Sequence, residues 1–378
     1  MLPKHTCKKL IGAKLMIFTG KPVKKNWFRS LTMAIALIIA LPVLVFIAGS
    51  MRDPTLSLHA VAGSMLWATF GPHLVLLSFV ALILSLGGFR HEGSRRAKGR
   101  FARLTLILSI IAFLGSTYIT VRILASVFAA GGAANPVSGL LLKSMNAGGP
   151  DESVVFRTID SQALSAAIYK PASNNQRVPV LIYIHGGGFM TGSNIETDAD
   201  LRWFSEQGWL VFSIDYRLFT PDIPTWDKAP QDVACAVAWV DANAAEYGGD
   251  PGRLGVLGDS AGGNLAINVA YAAALGNDQS DCGRVPVPQA VVVQYPAVDP
   301  LAIFEDGYPI PGFEPKMLFS GYIGGTLEEF PDRVHAVSSS SYISNNAPPT
   351  LILEPEKDSI VPSESVYRFA EQALLAGV

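Results

Sequence analysis

Hydrophobic and polar positions are arranged in two different ways along this chain. Up to about residue 130, apolar residues come in long runs, from Leu31 to Ser50, from Ala60 to Gly88 and from Leu104 to Ala130, with short polar loops between them. The first run carries no charge and matches the ~20 residues a helix needs to cross a bilayer core, so each run predicts a spanning helix. A helix buried in a soluble core is the rival for any one run, and three in succession argue against it. Pro72, His73 and Arg122 interrupt the runs. Arg122 stands near the end of its run, where a long stem reaches the headgroups, and His73 can stay neutral and bond to a neighbouring helix.

After the Gly, Ala and Pro-rich stretch "AAGGAANPVSG", which predicts a linker, the pattern changes. Short apolar strands, "VPVLIYIHGG", "GWLVFSIDY", "GRLGVLGDS", "QAVVVQYPAV" and "PTLILEPE", alternate with helix-periodic segments, "APQDVACAVAWVDANAAEY" and "GGNLAINVAYAAAL". That alternation predicts an α/β domain, a mostly parallel sheet with helices on both faces. The expected organisation is a basic segment 1–30, a three-helix transmembrane region 31–130, a linker 131–150 and the α/β domain 151–378.

Charge places the two parts. Charged residues make up 16% of the 378 residues, against roughly 25% in soluble domains, because the first third is so apolar. Lys4, Lys8, Lys9, Lys14, Lys21, Lys24, Lys25 and Arg29 precede the first run without an acid, and Arg90, Arg95, Arg96, Lys98, Arg100 and Arg103 follow the second beside Glu92 alone. Between the first two runs stand only Arg52 and Asp53. Basic loops stay cytoplasmic, so the N-terminus is expected in the cytoplasm and the α/β domain on the outer side of a plasma or inner membrane. The first run is longer than a signal-peptide core and more membrane follows it, which predicts a retained anchor. These cations are expected to set topology and touch anionic lipid; no nucleic-acid partner is implied. Of the three cysteines, Cys7 is expected in the cytoplasm. Cys235 and Cys282 share the outer compartment, where a disulfide survives, but the apolar setting "DVACAVAWV" makes a buried free thiol the expectation.

Two motifs carry chemistry. Gly258-Asp259-Ser260-Ala261-Gly262 is a G-x-S-x-G pattern between a strand and a helix, the setting of a nucleophile elbow whose strained turn exposes the serine hydroxyl. "HGGGF", His185 to Phe189, follows the strand "VLIYI", and its glycines let backbone N–H groups approach a substrate oxygen. Either alone is weak, since glycine-rich turns are common.

In order along the chain, "HGGGFMTGS", "SIDYRL", "QDVACAVAWV", "GGDPGRLGVLGDSAGGNLA" and "PTLILEPEKDSIVP" resemble the hormone-sensitive lipase family of α/β-hydrolases, from about Asp151 to the last residue. The resemblance implies that Ser260 is the nucleophile, that the N–H groups of Gly187, Gly188 and Ala261 form an oxyanion hole, and that Asp358 is the triad acid. Glu354 and Glu356 are the rival acids, and Pro355 stands where the family usually has glycine. His185, Gly186, Gly258, Asp259 and Gly262 then shape the motifs, Asn264 steadies the elbow, and Asp215 and Arg217 of "DYR" form a structural pair. The stretch from Asp299 to His335, with Phe304, Tyr308, Phe313, Met317, Phe319 and Tyr322, reads either as part of a lid that binds an acyl group or as simple packing, the more frequent role of apolar residues. No metal and no organic cofactor is implied.

A serine hydroxyl needs a partner that removes its proton, and in this family a histidine after the acid does so. The six histidines are His5, His59, His73, His91, His185 and His335, and none follows Asp358. His335 reads as a surface residue. The expectation is a domain lacking its last strand and helix, with the base encoded beyond Val378 and very weak esterase activity in this form. The function implied is that of a membrane-anchored serine carboxylester hydrolase acting on small or lipophilic esters. A binding protein that keeps the pocket, or an acyltransferase using the same serine, is the alternative, and the sequence is silent on oligomeric state.

Overall fold

The computed structural model describes residues 24–51, 58–90, 96–129, 131–141, 148–172, 176–309, 314–356, 358 and 360–378. Cys7, most of the basic N-terminal segment, the Arg52–Asp53 loop, Glu92, Arg95 and Phe313 lie outside these residues. In chain order the elements are α1 (Lys24–Ser50), α2 (Leu58–Arg90), α3 (Arg96–Ala129), α4 (Pro136–Leu140), β1 (Glu152–Ile159), β2 (Gln162–Tyr169), β3 (Val178–Ile184), α5 (Asp198–Glu206), β4 (Leu210–Ile214), α6 (Lys228–Asn243), β5 (Gly249–Asp259), α7 (Ser260–Ala274), β6 (Gln279–Ser280), β7 (Gly283–Arg284), β8 (Ala290–Gln294), α8 (Pro300–Asp306), α9 (Pro315–Ile323), α10 (Pro331–Val337), β9 (Thr350–Leu353) and α11 (Ser363–Ala376). The chain divides into two compact units, Met1–Ile47 with Gly71–Gly132 and Ala48–Phe70 with Ala133–Val378.

Three helices, all but their ends in the first unit, are long and apolar enough to cross a membrane, over Ser30–Ser50, Thr69–Gly88 and Gly99–Ala129. Their outward positions carry Ile38, Leu41, Leu76, Ile83, Ile107 and Leu114, all exposed, as a lipid-facing surface requires. Between helices the residues are small or hydroxylated. Ser78 and Ser116 share a 2.8 Å hydrogen bond joining α2 to α3, and Gly115 and Gly88 lie where an added Cβ would meet Ile47 and Met33 of α1. Close backbone approach of this kind is how helices associate where no hydrophobic force separates them from lipid. Arg122 is exposed on α3.

The stretch read as a plain linker contains one helical turn, α4. Asn135 caps it, its side-chain oxygen accepting from the Val137 and Ser138 N–H groups at 3.0 and 3.3 Å, and Pro136 supplies the fixed φ of a first helical residue.

In the second unit a seven-stranded sheet runs β1-β2-β4-β3-β5-β8-β9. β1 with β2 and β2 with β4 are antiparallel, and all later pairs are parallel. The antiparallel entry hairpin turns at Asp160 and Ser161, both at positive φ (49° and 64°), a geometry matched to strand twist. The parallel strands are apolar on both sides because both faces are covered. Val180, Ile182, Ile184, Val256, Val291 and Val293 pack in the main core with α6, α7 and α11, while Leu181, Tyr183, Val211 and Leu257 pack on the other face with Leu201 of α5.

Two sequence expectations change here. Cys235 is fully buried but is not a free thiol: it is joined to Cys282 of the β6–β7 hairpin, with Cα atoms 5.0 Å apart. The helix face that buries Cys235 is the face on which the hairpin lands, so burial and pairing go together. Asp215 and Arg217 do not pair with each other. The Asp215 carboxylate accepts from the Asn194 and Ser165 N–H groups. Arg217 turns to Asp232 of α6, which it grips twice, Nε to Oδ2 at 2.7 Å and Nη2 to Oδ1 at 3.0 Å. Asp232 has no exposed surface, so it needs counter-charge more than Asp215 does, and Arg157 of β1 adds a third contact at 3.0 Å.

Candidate active site

The carboxyl ends of β3, β5, β8 and β9 lie side by side, and the functional side chains are hung from them. β5 passes straight into α7 at Ser260, whose φ of +50° is rare for a residue with a side chain. The turn is so tight that neither flank tolerates a Cβ: one on Gly258 would meet Gly262 O at 2.4 Å, and one on Gly262 would meet Ile184 O at 2.1 Å. The glycines of the pattern are therefore a packing requirement of the strained serine.

After β3 the chain runs through His185 and Gly186 into a turn in which Gly187, Gly188 and Phe189 all have positive φ, 103°, 61° and 60°. Gly187 C=O accepts from the Met190 and Thr191 N–H groups, which closes the loop. His185 is buried within it. Its ring stacks on Tyr216 at 4.4 Å, its Nδ1 is 2.8 Å from Gly186 O, and burial pushes its pKa down. Tyr216 in turn donates to His185 O and Gly186 O. His185 is thus engaged on the inside of the loop. His335 is exposed on α10, and neither His185 nor His335 is in the lining of the cleft at Ser260.

Ser260 opens onto a small cleft shared with Gly188, Phe189 and Ala261. Ala261 lies in the first turn of α7, where an amide has no intrahelical acceptor, and the helix dipole favours negative charge there. Ala297, Pro300, Ile303, Pro315, Leu318, Phe319, Tyr322, Ile360 and Val361 complete an apolar wall. Of the lid residues read from sequence, Phe319 and Tyr322 reach this cleft. Phe304 packs edge-on against Phe319 at 5.8 Å, Met317 is exposed and Tyr308 is half-buried outside it. Gly187 is not part of the lining.

Asp259 joins the two motifs. It accepts from the Tyr183 hydroxyl at 2.6 Å. Burial raises its pKa, against the opposing pull of that bond, His185 and the Gly186 N–H. Asn264, buried in α7, donates to Ala297 O and Val337 O at 2.9 Å each and so fixes the elbow to the segment after β8.

Asp358 sits in the turn after β9. Its Oδ1 accepts from the Ile360 and Val361 N–H groups at 2.8 and 3.0 Å, and among the described residues nothing is bonded to Oδ2. Burial raises its pKa and the two N–H groups oppose this. Glu354, four residues earlier, has both carboxylate oxygens buried without a hydrogen-bond partner among the described residues. The nearby Ser363 hydroxyl is taken by Pro355 O and the Asp358 N–H. Burial, with the Asp358 charge second, pushes Glu354 up to about 7. Glu356 is exposed.

Glu354 gives a prediction with a definite sign. Its folded pKa lies above the ordinary 4.5, so the folded state binds the proton more tightly. Stability therefore falls as pH rises from about 4.5 to about 7 and stays reduced above that. Glu354→Gln removes the charge and should raise the melting temperature at pH 8.5 by roughly 2–4 °C, on the order of 1 kcal/mol once solvent screening at a residue that is buried only in part is allowed for. At pH 4 the two proteins should melt together; an equal gain at both pH values would contradict this account.

A mostly parallel sheet whose strand–helix junction presents a strained serine beside a left-handed glycine loop is the α/β-hydrolase architecture. The BD-FAE family model matches residues 166–373, more than half of the chain, and the chain belongs to that family. It is similar to Esterase LipC of Mycobacterium tuberculosis, 32% identical over 201 residues covering 51% of this chain and 48% of LipC. Carboxylesterase NlhH of the same organism is 37% identical over 128 residues, 33% of this chain and 40% of NlhH. Arylacetamide deacetylase of Bos taurus is 39% identical over 128 residues, 32% of this chain and 31% of its own. The chain thus spans about half the length, or less, of these curated relatives. Their names agree with the resemblance to the hormone-sensitive lipase family. Among solved structures, the acetyl ester-xyloside bifunctional hydrolase of Caldicellulosiruptor lactoaceticus shares the fold, with a TM-score of 0.50 and 23% identity over 61% of this chain and 84% of that one.

Proposed function

We propose that this protein is a membrane-anchored serine carboxylester hydrolase. The observation that carries the reading is the shared opening of Ser260, Gly188 and Ala261 onto one apolar cleft. In the proposed reaction Ser260 Oγ attacks the ester carbonyl carbon while a base takes its proton. The negative charge moves to the carbonyl oxygen, facing the Gly187, Gly188 and Ala261 N–H groups. The intermediate collapses, the alcohol leaves with the proton, and water then releases the acid from the acyl-enzyme. Asp358 is the residue that would orient the base, since one carboxylate oxygen is fixed by backbone and the other is left for a partner. The apolar lining suits small or lipophilic acyl groups, and no step calls for a metal or cofactor.

The proposed organisation keeps residues 1–30 in the cytoplasm, 31–130 in the membrane, 131–150 as the connection and 151–378 outside. The charge asymmetry of the loops supports it. The Cys235–Cys282 bond is an independent support, because disulfides persist in oxidising compartments.

A second reading is a ligand-binding homologue that keeps the cleft, whose lining among the described residues holds no histidine. Added imidazole separates the two. With p-nitrophenyl acetate, a cleft lined by no histidine should give only the weak rate left by binding and an oxyanion hole, roughly 10³ to 10⁴ over water. Imidazole, standing in for the base, should raise turnover in the parent and not in Ser260→Ala. Equal imidazole dependence in both proteins would favour the binding protein. An acyltransferase is recognised in the same assay by ester exchange with an added alcohol.

A further inference from the structure

The left-handed backbone at Phe189 asks for an explanation that the two glycines before it do not supply. A bulky side chain at φ +60° is strained and persists only where its surroundings hold it. They do so from α9. The Phe189 ring lies flat on the Tyr322 ring, with centroids 3.8 Å apart and an interplanar angle of 5°. The Phe189 carbonyl accepts from the Phe219 N–H at 2.9 Å. The Phe219 ring lies so close to Gly321 that an added Cβ there would meet it at 2.1 Å. Tyr322 is itself anchored, because its carbonyl accepts from both the Thr225 and Trp226 N–H groups.

The Tyr322 hydroxyl has no part in this. It is buried and has no hydrogen-bond partner among the described residues, although the ring is only 1% exposed. An unpaired buried hydroxyl lowers stability, so the contact that keeps this residue in place is made by the ring.

We propose that Tyr322 is a positioning residue for the oxyanion hole, its ring holding Phe189 and thereby the Gly187–Gly188 backbone in the course that turns the Gly188 amide toward the cleft at Ser260. The proposal rests on Ser260 being the nucleophile. It makes α9 more than a wall of the acyl pocket: the same helix that encloses the substrate also fixes the amide that would stabilise the reaction's charge.

Tyr322→Phe and Tyr322→Leu test it, with imidazole-supported hydrolysis of p-nitrophenyl acetate and with amide hydrogen exchange of the 186–190 peptide. Phe keeps the stack and discards the idle hydroxyl, so kcat should stay within about twofold of the parent, with loop exchange unchanged. Leu fills the space without a flat ring. It should lower kcat roughly tenfold to a hundredfold with KM little changed, and it should speed exchange at 186–190, while α7 peptides stay protected. The assignment is overturned if Leu leaves kcat intact, if it raises KM alone as a pocket wall would, or if Phe loses as much as Leu, which would make the hydroxyl a substrate contact. Exchange does not depend on chemistry at Ser260. Faster loop exchange in Leu together with full activity in Ser260→Ala would mean that the nucleophile reading had failed and the clamp had not.

Discussion

Asp232→Ala is expected to be close to unfolding the second unit. The carboxylate has no exposed surface and sits between two guanidinium groups whose side chains are 7% and 8% exposed. It also accepts from the Arg217 backbone N–H at 3.1 Å. Removing it leaves two buried cations facing each other with only the outlying Asp281 and Asp160, 72% and 77% exposed, to share them. Breaking a buried pair by deleting one partner costs about 3–5 kcal/mol, and here one deletion strands two partners. Against a total of roughly 5–15 kcal/mol, that is a large fraction. Urea unfolding followed by tryptophan fluorescence should show a loss of unfolding free energy of this size for Asp232→Ala and of no more than about 1 kcal/mol for Asp281→Ala, whose carboxylate is in water. Similar losses in both variants would show that the buried charge is not what holds β1, α6 and the segment after β4 together. The effect should also reach the site, since Arg217 follows Tyr216, whose hydroxyl ties His185 and Gly186.

How far the sequence foretold this arrangement depended on how many residues a feature needs to declare itself. The parallel strands were legible because burial on both faces makes them continuously apolar, and "VLIYI" or "VVVQ" can hardly be anything else. The elbow and the glycine loop were legible because their backbones admit only small residues at fixed spacing, which the clashes at Gly258 and Gly262 make concrete. The entry hairpin was not picked out. Its turn uses Asp160 and Ser161 at positive φ where Asn-Gly would have announced it, and its alternation is blurred by a bulge between Val155 and Arg157. The partner of Arg217 was misread because nearness in sequence stood in for nearness in space: Asp215 is two residues away, whereas Asp232 is reached only once α6 has packed. The disulfide failed to declare itself for a related reason, as an apolar helix face says that Cys235 is buried but not what covers it. The stack of Phe189 on Tyr322 joins residues 133 positions apart, and no local pattern encodes it.

Gly187→Ala is expected to remove most of the site's chemistry while leaving the fold standing. Two costs meet at this residue. Its φ of +103° lies outside what an alanine readily adopts, and a Cβ there would stand 2.1 Å from Thr191 O, a backbone atom that cannot swing aside. The only relief is to move the Gly187–Thr191 turn, which Gly187 C=O itself closes by accepting from the Met190 and Thr191 N–H groups. Gly188 is the next residue, so its amide moves with the turn. Loss of one oxyanion donor costs about 10² to 10³ in rate, and imidazole-supported turnover at Ser260 should fall by that factor. Gly208→Ala is the matched control. It too has a left-handed φ, +94°, but nothing lies within 4 Å of its added Cβ, so it should cost on the order of 1 kcal/mol of stability and leave turnover unchanged. If Gly187→Ala lowered turnover no more than Gly208→Ala does, the glycine loop would be an ordinary turn, and the charge developing on the substrate would have to be met elsewhere.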